Sequence, residues 1–289
     1  MKNKNVYLLL LLFVNASVLI SCYTPRYVYS PAAHNVPVLV KKGDSKLAFN
    51  YSLNLADNTQ QQNVAVTGKA RGYDLQAAYA LTNHWAIQVN NFNRTERNAG
   101  DFDAGQRDSV VINYKRKLTE IAAGYYHALN DNKRAMFQIF GGVGFGKFSF
   151  TDIGRNQNNV FHNRYHIMNV TKLFIQPALI VRGKRNFAAS FSSRHSLIYF
   201  KKINTDYTPT ELNNYRLDSL AVSPRLFWEP SMVYNFGFKK IPGLQLEFQS
   251  GFAFLISRRF ADARFFNFSA GAVLDLPKLF AIKKRSAKN

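Results

Sequence analysis

The sequence predicts an all-β protein, a closed, antiparallel, up-and-down transmembrane β-barrel of about ten strands. Three observations support this fold class. Aromatic residues make up 15% of the chain and charged residues only 19%, which is below the usual quarter. After the first twenty residues, no apolar run is long enough to cross a bilayer as a helix. From Lys46 onwards, segments of about ten residues alternate apolar with polar side chains, as transmembrane β-strands do.

This alternation places apolar side chains on one face of each predicted strand. Successive side chains of a strand point to opposite faces, so Leu47, Phe49 and Tyr51 lie opposite Asn50 in the first segment. Further segments repeat the pattern along the chain. We therefore predict a transmembrane barrel over residues 46–277, with the apolar face towards lipid.

The charged residues within the predicted strands lie on the face opposite the apolar one. A lysine or arginine that faces lipid costs about 2–4 kcal/mol at the bilayer midplane, so a membrane would impose this exclusion. A barrel of about ten strands is narrow enough for such side chains to fill it. The predicted barrel-interior charges are Asp74, Glu120, Lys172, Arg194, Arg225, Glu229, Glu247 and Asp275.

The predicted connections alternate in length. Outer-membrane barrels have short periplasmic turns and long outer loops, and an even strand count places both chain ends on the periplasmic side. We therefore expect both termini in the periplasm. The predicted long outer loops are residues 56–71, 94–117, 151–170 and 201–222, with a shorter one near 257–262. The predicted periplasmic turns are residues 82–83, 130–133, 183–185 and 239–243.

The start of the chain is typical of an export signal. Lys2 and Lys4 precede an apolar stretch, and Leu19-Ile20-Ser21-Cys22 is typical of a bacterial lipoprotein signal, in which the cysteine is lipidated. We predict a signal peptide over residues 1–21 and a lipid anchor on Cys22, the one cysteine of the chain. The alternative is an ordinary secretory signal that is cut nearby, with Cys22 incidental.

Two further segments flank the predicted barrel. Residues 22–45 contain Pro25, Pro31 and Pro37, which block regular structure, and are predicted to form a lipidated extended tether. Residues 278–289 are predicted to form a basic periplasmic tail.

From residue 46 to 277 the chain resembles the small single-chain bacterial outer-membrane β-barrel proteins, and its start resembles a lipoprotein-type signal peptide. The resemblance rests on a pattern and not on signature residues. It implies a Gram-negative outer membrane, its lipids and lipopolysaccharide, and the barrel-assembly machinery as partners. Two features depart from it: a basic tail follows Phe280, and Pro177 and Pro230 fall inside predicted strands, where they indicate bulges or wrong boundaries.

The net charge of +21 bears on the partners. Cations near strand ends suit anionic headgroups, and we expect no nucleic-acid partner. Cations of the predicted outer loops are candidate contacts with lipopolysaccharide: Arg94, Arg97, Lys115, Arg116, Lys117, Arg258 and Arg259.

Other motifs give little support for chemistry. The glycine-rich run 141–146 lacks the following helix that a phosphate-binding loop needs. His162 and His166 fall in a predicted loop, and the adjacent His195 and Ser196 point to opposite faces of a strand. We expect no catalytic residue, no metal site, no cofactor and no enzymatic activity.

The sequence-based prediction of function is an outer-membrane β-barrel lipoprotein with a structural or surface-interaction role. Three alternatives stay open: a narrow channel for small solutes, an enzyme at the barrel rim that acts on lipids, and a soluble, lipid-anchored ligand-binding β-barrel. The sequence does not identify a ligand or an oligomeric state.

Overall fold

The protein forms a closed antiparallel barrel of ten strands, which confirms the predicted fold class. The computed structural model describes residues 26–53, 60–61, 64–102, 108–155, 160–183, 186–277 and 279. The strand segments are β1 (Ser45–Leu53), β2 (Gln60–Gln61), β3 (Val64–Ala80), β4 (Trp85–Phe102), β5 (Asp108–Ala128), β6 (Ala135–Arg155), β7 (Phe161–Arg182), β8 (Phe187–Thr205), β9 (Arg225–Gly237), β10 (Leu244–Phe252), β11 (Phe254–Leu255) and β12 (Phe266–Leu274). One short helix, α1 (Pro209–Asn214), lies between β8 and β9.

The barrel closes through β1, which pairs with β12 on one side and with β3 on the other. Leu47 lies opposite Leu274 of β12 and Ala77 of β3. The two shortest segments add little. β2 pairs only with β3, and β11 follows β10 and pairs with the same strand, β9. Closure pairs the first and last long strands, so the wall has no free edge along them.

The predicted alternation of faces is present in the wall. Phe49, Ile121 and Phe145 are 52%, 58% and 61% exposed, whereas Asp74 and Glu120 are buried. The exposed apolar side chains form a band around the barrel, as lipid contact requires. Within the described residues, no helix is long and apolar enough to cross a membrane.

Three of the predicted long outer loops, residues 56–71, 94–117 and 151–170, are wrong, because most of their described residues are strand, whereas 201–222 is mostly a long connection that contains α1. β4 to β8 contain 18 to 22 residues, about twice the 9–11 that cross a bilayer. The strands therefore continue beyond the membrane. We call this extension the outer half, a name that follows the predicted orientation; it comprises residues 64–71, 94–102, 108–117, 147–155, 161–170 and 198–205.

The interior of the outer half contains a large apolar cluster beside buried ion pairs. The apolar side chains of this cluster point inward and are fully buried. They include Tyr114, Phe148, Phe150, Met168 and Phe200. The core stabilises the extension without lipid, as the core of a water-soluble protein does.

The opposite end of the barrel carries short turns, and we call it the short-turn end. Turns at 81–84, 129–134 and 238–243 lie close to the predicted positions. Gly243 adopts a φ of 98°, which a residue with a Cβ rarely takes. A Cβ there would also lie 2.9 Å from the Asp275 carbonyl oxygen.

Pro177 and Pro230 lie inside strands without a bulge. Pro177 falls between Ile175 and Ala178, where the β7–β8 ladder is interrupted and then resumes in the same register. Pro230 lies opposite the break between β10 and β11. Each proline therefore occupies a gap in one ladder, where no backbone N–H is needed.

Candidate functional site in the barrel lumen

The described part of the predicted tether lies inside the barrel. We call residues 26–40 the luminal segment. Apart from Val38 and Val40, which are partly exposed, its residues are buried against the inner wall. The segment enters at the short-turn end and reaches the outer end at Arg26. The predicted extended tether therefore runs through the barrel as far as Arg26, the first described residue, which lies at the end opposite the short turns.

Backbone hydrogen bonds fix the segment where it enters the barrel. The Lys42 backbone N–H donates to the Asn83 side chain at 2.9 Å, in the turn between β3 and β4. The Asp44 carboxylate accepts from the Val40 and Lys41 backbone N–H groups at 2.8 and 3.0 Å. Val36 then packs into the lower apolar cluster of the lumen. The entry of the segment is therefore tied to the first turn of the wall.

Amide side chains of the wall bind the backbone of the middle of the segment. Gln249 accepts from the His34 backbone N–H and donates to the His34 carbonyl oxygen, both at 2.9 Å. Gln76 donates to the Ala33 carbonyl oxygen, and Gln176 donates to that of Asn35. These bonds replace those that an extended backbone would otherwise make with water. The lumen is thus built to hold this segment.

A buried charged cluster surrounds Tyr29 at the centre of the barrel. Lys172 Nζ lies 3.1 Å from Glu120 Oε1 and 3.5 Å from Glu229 Oε2. The Tyr29 hydroxyl donates to Glu229 and accepts from Lys172 at 3.1 Å. Arg194 completes the cluster with a 3.6 Å contact to Glu120. The wall charges therefore form a network that includes a side chain of the luminal segment.

A second cluster anchors the segment at the outer end. Arg26 donates to Asp152, with Nε at 3.0 Å, and its guanidinium stacks over the Tyr215 ring at 3.8 Å. Tyr207 donates to the same carboxylate at 2.7 Å. Asp152 lies three residues before the end of β6 at Arg155. The anchor is therefore in the outer half, close to α1.

A third cluster clamps Tyr27 beside this anchor. Glu96 pairs with Arg116 at 2.7 Å and with Arg264 at 2.9 Å. The Arg264 guanidinium stacks over the Tyr27 ring at 3.9 Å, and Arg116 donates to the Tyr27 carbonyl oxygen. Cation–π contacts of desolvated arginines contribute about 2 kcal/mol.

The remaining interior charges pair within the wall or lie at its ends. Asp74 binds Arg94 at 2.7 Å, and Glu247 binds Lys46 at 2.7 Å. Arg225 donates to Ser219 and Ser223 at the outer end, and Asp275 lies at the short-turn end. The predicted interior charges are all buried.

Two mouths open at the ends of the lumen. At the short-turn end, a cavity of about 400 Å³ is lined by Val36, Lys46 and Asp275. At the outer end, a cavity of about 380 Å³ is lined by Asp152 and Tyr207 among others. The small space beside Asn35, Glu120 and Arg194 admits no water-sized sphere. The luminal segment separates the two mouths.

The structure divides the candidate lipopolysaccharide contacts into two groups. Arg97, Lys115 and Lys117 point outward from the outer half, and Arg258 and Arg259 are exposed in the loop after β11. For the other two residues the predicted contact with lipopolysaccharide is wrong, because their side chains point inward and are fully buried in ion pairs. These two are Arg94, which binds Asp74, and Arg116, which binds Glu96.

The other candidate residues form no joint site. His195 points outward, while Ser196 points inward and donates to Glu229 at 2.7 Å. No cluster of metal-ligating side chains occurs among the described residues. Cys22 lies outside the described residues.

Sequence reasoning missed much of this lumen. Arg94, Glu96 and Arg116 belong to the same alternation that places Asn90 and Glu120 inward, so continuing the period-two pattern beyond the predicted strand ends would have found them. Arg26 gives no such signal, because its partner Asp152 is 126 residues away.

Comparison with known proteins supports the fold alone. No described protein family and no curated protein matches the chain. Among solved structures, it is similar to the outer membrane protease OmpT from Escherichia coli, with 9% identity and a TM-score of 0.42 over 81% of this chain and 94% of that one. It is similar to the translocator domain of the autotransporter NalP from Neisseria meningitidis, with 10% identity and a TM-score of 0.45 over 80% and 87%. An outer membrane channel from Pseudomonas putida F1 matches with 10% identity and a TM-score of 0.34 over 83% and 99%.

The prediction that the chain is not an enzyme is wrong as a conclusion from its architecture. A protease is among the solved structures that have this type of barrel, so the fold does not exclude catalysis. At 9% identity the match assigns neither an activity nor an active-site residue to this chain.

Proposed function

We propose that this chain is an outer-membrane β-barrel lipoprotein whose lumen is closed by its own amino-terminal segment and whose outer half binds lipopolysaccharide at the cell surface. The barrel-assembly machinery would insert it, and Cys22 would carry the lipid. The observation that carries the surface role is a cluster of outward cations on the outer half. The filled lumen supports the view that transport is not its basal activity.

The outward cations form a basic band just beyond the apolar belt. We define the basic band as Lys69, Arg71, Arg97, Lys115, Lys117, Lys147 and Lys201, all outward and exposed. Lys117 and Lys147 lie directly opposite each other across β5 and β6. Among the described outward side chains of the outer half, none is Asp or Glu.

This arrangement favours an anionic partner. Like charges directly opposite each other on a sheet are destabilising, so Lys117 and Lys147 repel each other in the isolated barrel. A phosphate group between them would offset the repulsion through charge-assisted hydrogen bonds. The band lies at the level of the lipid headgroups, where the phosphates of the outer-leaflet lipopolysaccharide are the matching anions.

Neutralising the band tests the proposal. The triple variant Lys115→Ala, Lys117→Ala, Lys147→Ala should copurify with several-fold less lipopolysaccharide per barrel than the unchanged protein. A matched control, Lys133→Ala, Lys239→Ala, Lys240→Ala, removes the same charge from exposed positions at the short-turn end. The proposal expects the control to retain lipopolysaccharide fully. Equal retention by the two triple variants would contradict it.

A gated channel is the second candidate, favoured by the two mouths that face each other across the luminal segment. Planar-bilayer recording distinguishes the two. The unchanged protein should give no discrete conductance, because the space beside Asn35 is closed. A variant without residues 26–40 should conduct if it retains the heat-modifiable migration of a folded barrel. Steady conductance of the unchanged protein would favour the channel.

Lipidation is tested separately. The unchanged chain should incorporate a radiolabelled fatty acid, and a Cys22→Ala variant should not. The lipid anchor would be removed from the proposal if both chains were labelled equally, or if neither chain was labelled.

A further inference from the structure

We infer that the chain upstream of Arg26 emerges at the outer end of the barrel, so that the amino-terminal end of the mature protein is displayed at the cell surface. The inference rests on the proposed orientation of the barrel in the outer membrane, and not on a lipid at Cys22.

The direction of the luminal segment is the first argument. Its carboxyl-terminal end is tied to the short-turn end, where the Lys42 backbone N–H donates to Asn83. Its amino-terminal end is tied to the outer half, where Arg26 binds Asp152 beneath Tyr215. The segment therefore crosses the barrel from one mouth to the other.

The register of the segment is fixed near the outer end. The Val28 backbone N–H donates to the Asp262 carbonyl oxygen at 2.8 Å, and the Arg264 backbone N–H donates to that of Tyr29 at 2.9 Å. Tyr29 and Ala263 form a parallel β-bridge between these two bonds. Pairing of this kind prevents the segment from sliding along the lumen, and so fixes the level at which Arg26 lies.

Chain length then decides where Cys22 lies relative to the barrel. Four peptide units separate Cys22 from Arg26 and reach at most about 14 Å. β6 runs from Ala135 at the short-turn end to Asp152, which is about 55 Å along a strand and about 40 Å along the axis at the usual tilt. No conformation of the four units can therefore return Cys22 to the short-turn end.

Cysteine labelling in intact cells tests the inference. A Thr24→Cys variant would be treated with a membrane-impermeant maleimide, before and after permeabilisation of the outer membrane. Asn213→Cys in the exposed part of α1 reports the outer side, and Asn132→Cys in the turn between β5 and β6 reports the periplasmic side. The unchanged chain reports the reactivity of Cys22 itself.

The expected result, counted as labelling above that of the unchanged chain, is labelling of Thr24→Cys and Asn213→Cys in intact cells, with Asn132→Cys labelled only after permeabilisation. Labelling of the unchanged chain in intact cells would also support surface display, and would show that Cys22 carries no lipid. Labelling of Thr24→Cys only after permeabilisation, together with Asn132→Cys, would overturn the inference. Loss of lipopolysaccharide binding does not affect this readout, so the two proposals fail separately.

Discussion

The membrane-spanning part and the outer half of the barrel are built from the same strands, yet only the outer half places charged side chains on its outward face and a large apolar cluster inside. On β5, Ile121 is 58% exposed and Glu120 is buried, whereas further along the same strand Lys117 is exposed and Tyr114 is buried. The direction of each side chain still alternates with every residue. What changes is the solvent outside the wall.

This difference shows that polarity and strand geometry are independent in a transmembrane barrel. Hydrocarbon outside the wall excludes charge, so the polar groups of the membrane part face the lumen and pair there. Water outside the outer half accepts charge, so cations occur on its outward face, and apolar side chains pack inside beside the buried ion pairs. The luminal segment passes through both environments, with Tyr29 at the charged cluster and Tyr27 beside the apolar core.

The largest expected effect comes from breaking the charged cluster of the membrane part. Lys172→Met leaves Glu120 and Glu229 without their shared cation, and such a loss costs about 3–5 kcal/mol. Lys147→Met removes an outward, exposed cation of the outer half and should change stability little. The urea midpoint of unfolding in detergent would measure both variants. If the two midpoints fell equally, the cluster would not have the stabilising role described above.

The second-largest expected effect is on stability, when an arginine is placed on the outward face of each region. Ile121→Arg places a charge in the apolar band and should cost about 2–4 kcal/mol in lipid vesicles. Asn113→Arg places the same charge on the same face of β5 in the outer half, where the expected cost is within about 0.5 kcal/mol. Equal costs would mean that the boundary between lipid and water lies elsewhere on β5.

The smallest expected effect concerns the cap of α1. Thr208 and Glu211 form a capping box, with the Thr208 backbone N–H 2.7 Å from the Glu211 carboxylate. Thr208→Ala should destabilise the helix by about 1 kcal/mol and speed hydrogen exchange there without changing exchange in β5. Equal acceleration in both would show that α1 does not open independently.

The same cap predicts a pH dependence. Burial alone would raise the pKa of Glu211, but the hydrogen bonds from Thr208 and the proximity of Arg164 lower it below its usual range. A lowered pKa stabilises the folded state above the ordinary carboxyl range, and this contribution disappears as pH falls through the lowered value. Hydrogen exchange in α1, corrected for its intrinsic rate, should therefore accelerate in acid.

The membrane part of the fold could be predicted because lipid imposes one rule on every strand. Phe49, Ile121 and Asp74 face the predicted sides for that reason. The outer half escaped prediction because charges occur there on both faces: Glu96 and Arg116 inside, Arg97 and Lys115 outside. A stretch with charges on both faces resembles a loop, although its alternation continues.

The luminal segment could not be predicted from its own residues. Its prolines correctly exclude regular structure, but the groups that hold it come from distant strands. His34 binds Ser192, which is 158 residues away, and Tyr29 binds Glu229, which is 200 residues away. No local sequence pattern predicts such pairs, and an extended tether outside the barrel would have the same composition.

A cross-link between the luminal segment and the wall is the most direct test of the central claim that this segment fills the barrel. His34 Nδ1 lies 2.9 Å from Ser192 Oγ, so the two side chains face each other inside the wall. In a Cys22→Ala background, a short bismaleimide should join the pair His34→Cys, Ser192→Cys and make the chain migrate faster in denaturing gels. The control pair His34→Cys, Ser193→Cys places the second thiol on the outward side of the wall and should not cross-link. Absence of the cross-link in the first pair, or equal cross-linking in both, would contradict the account.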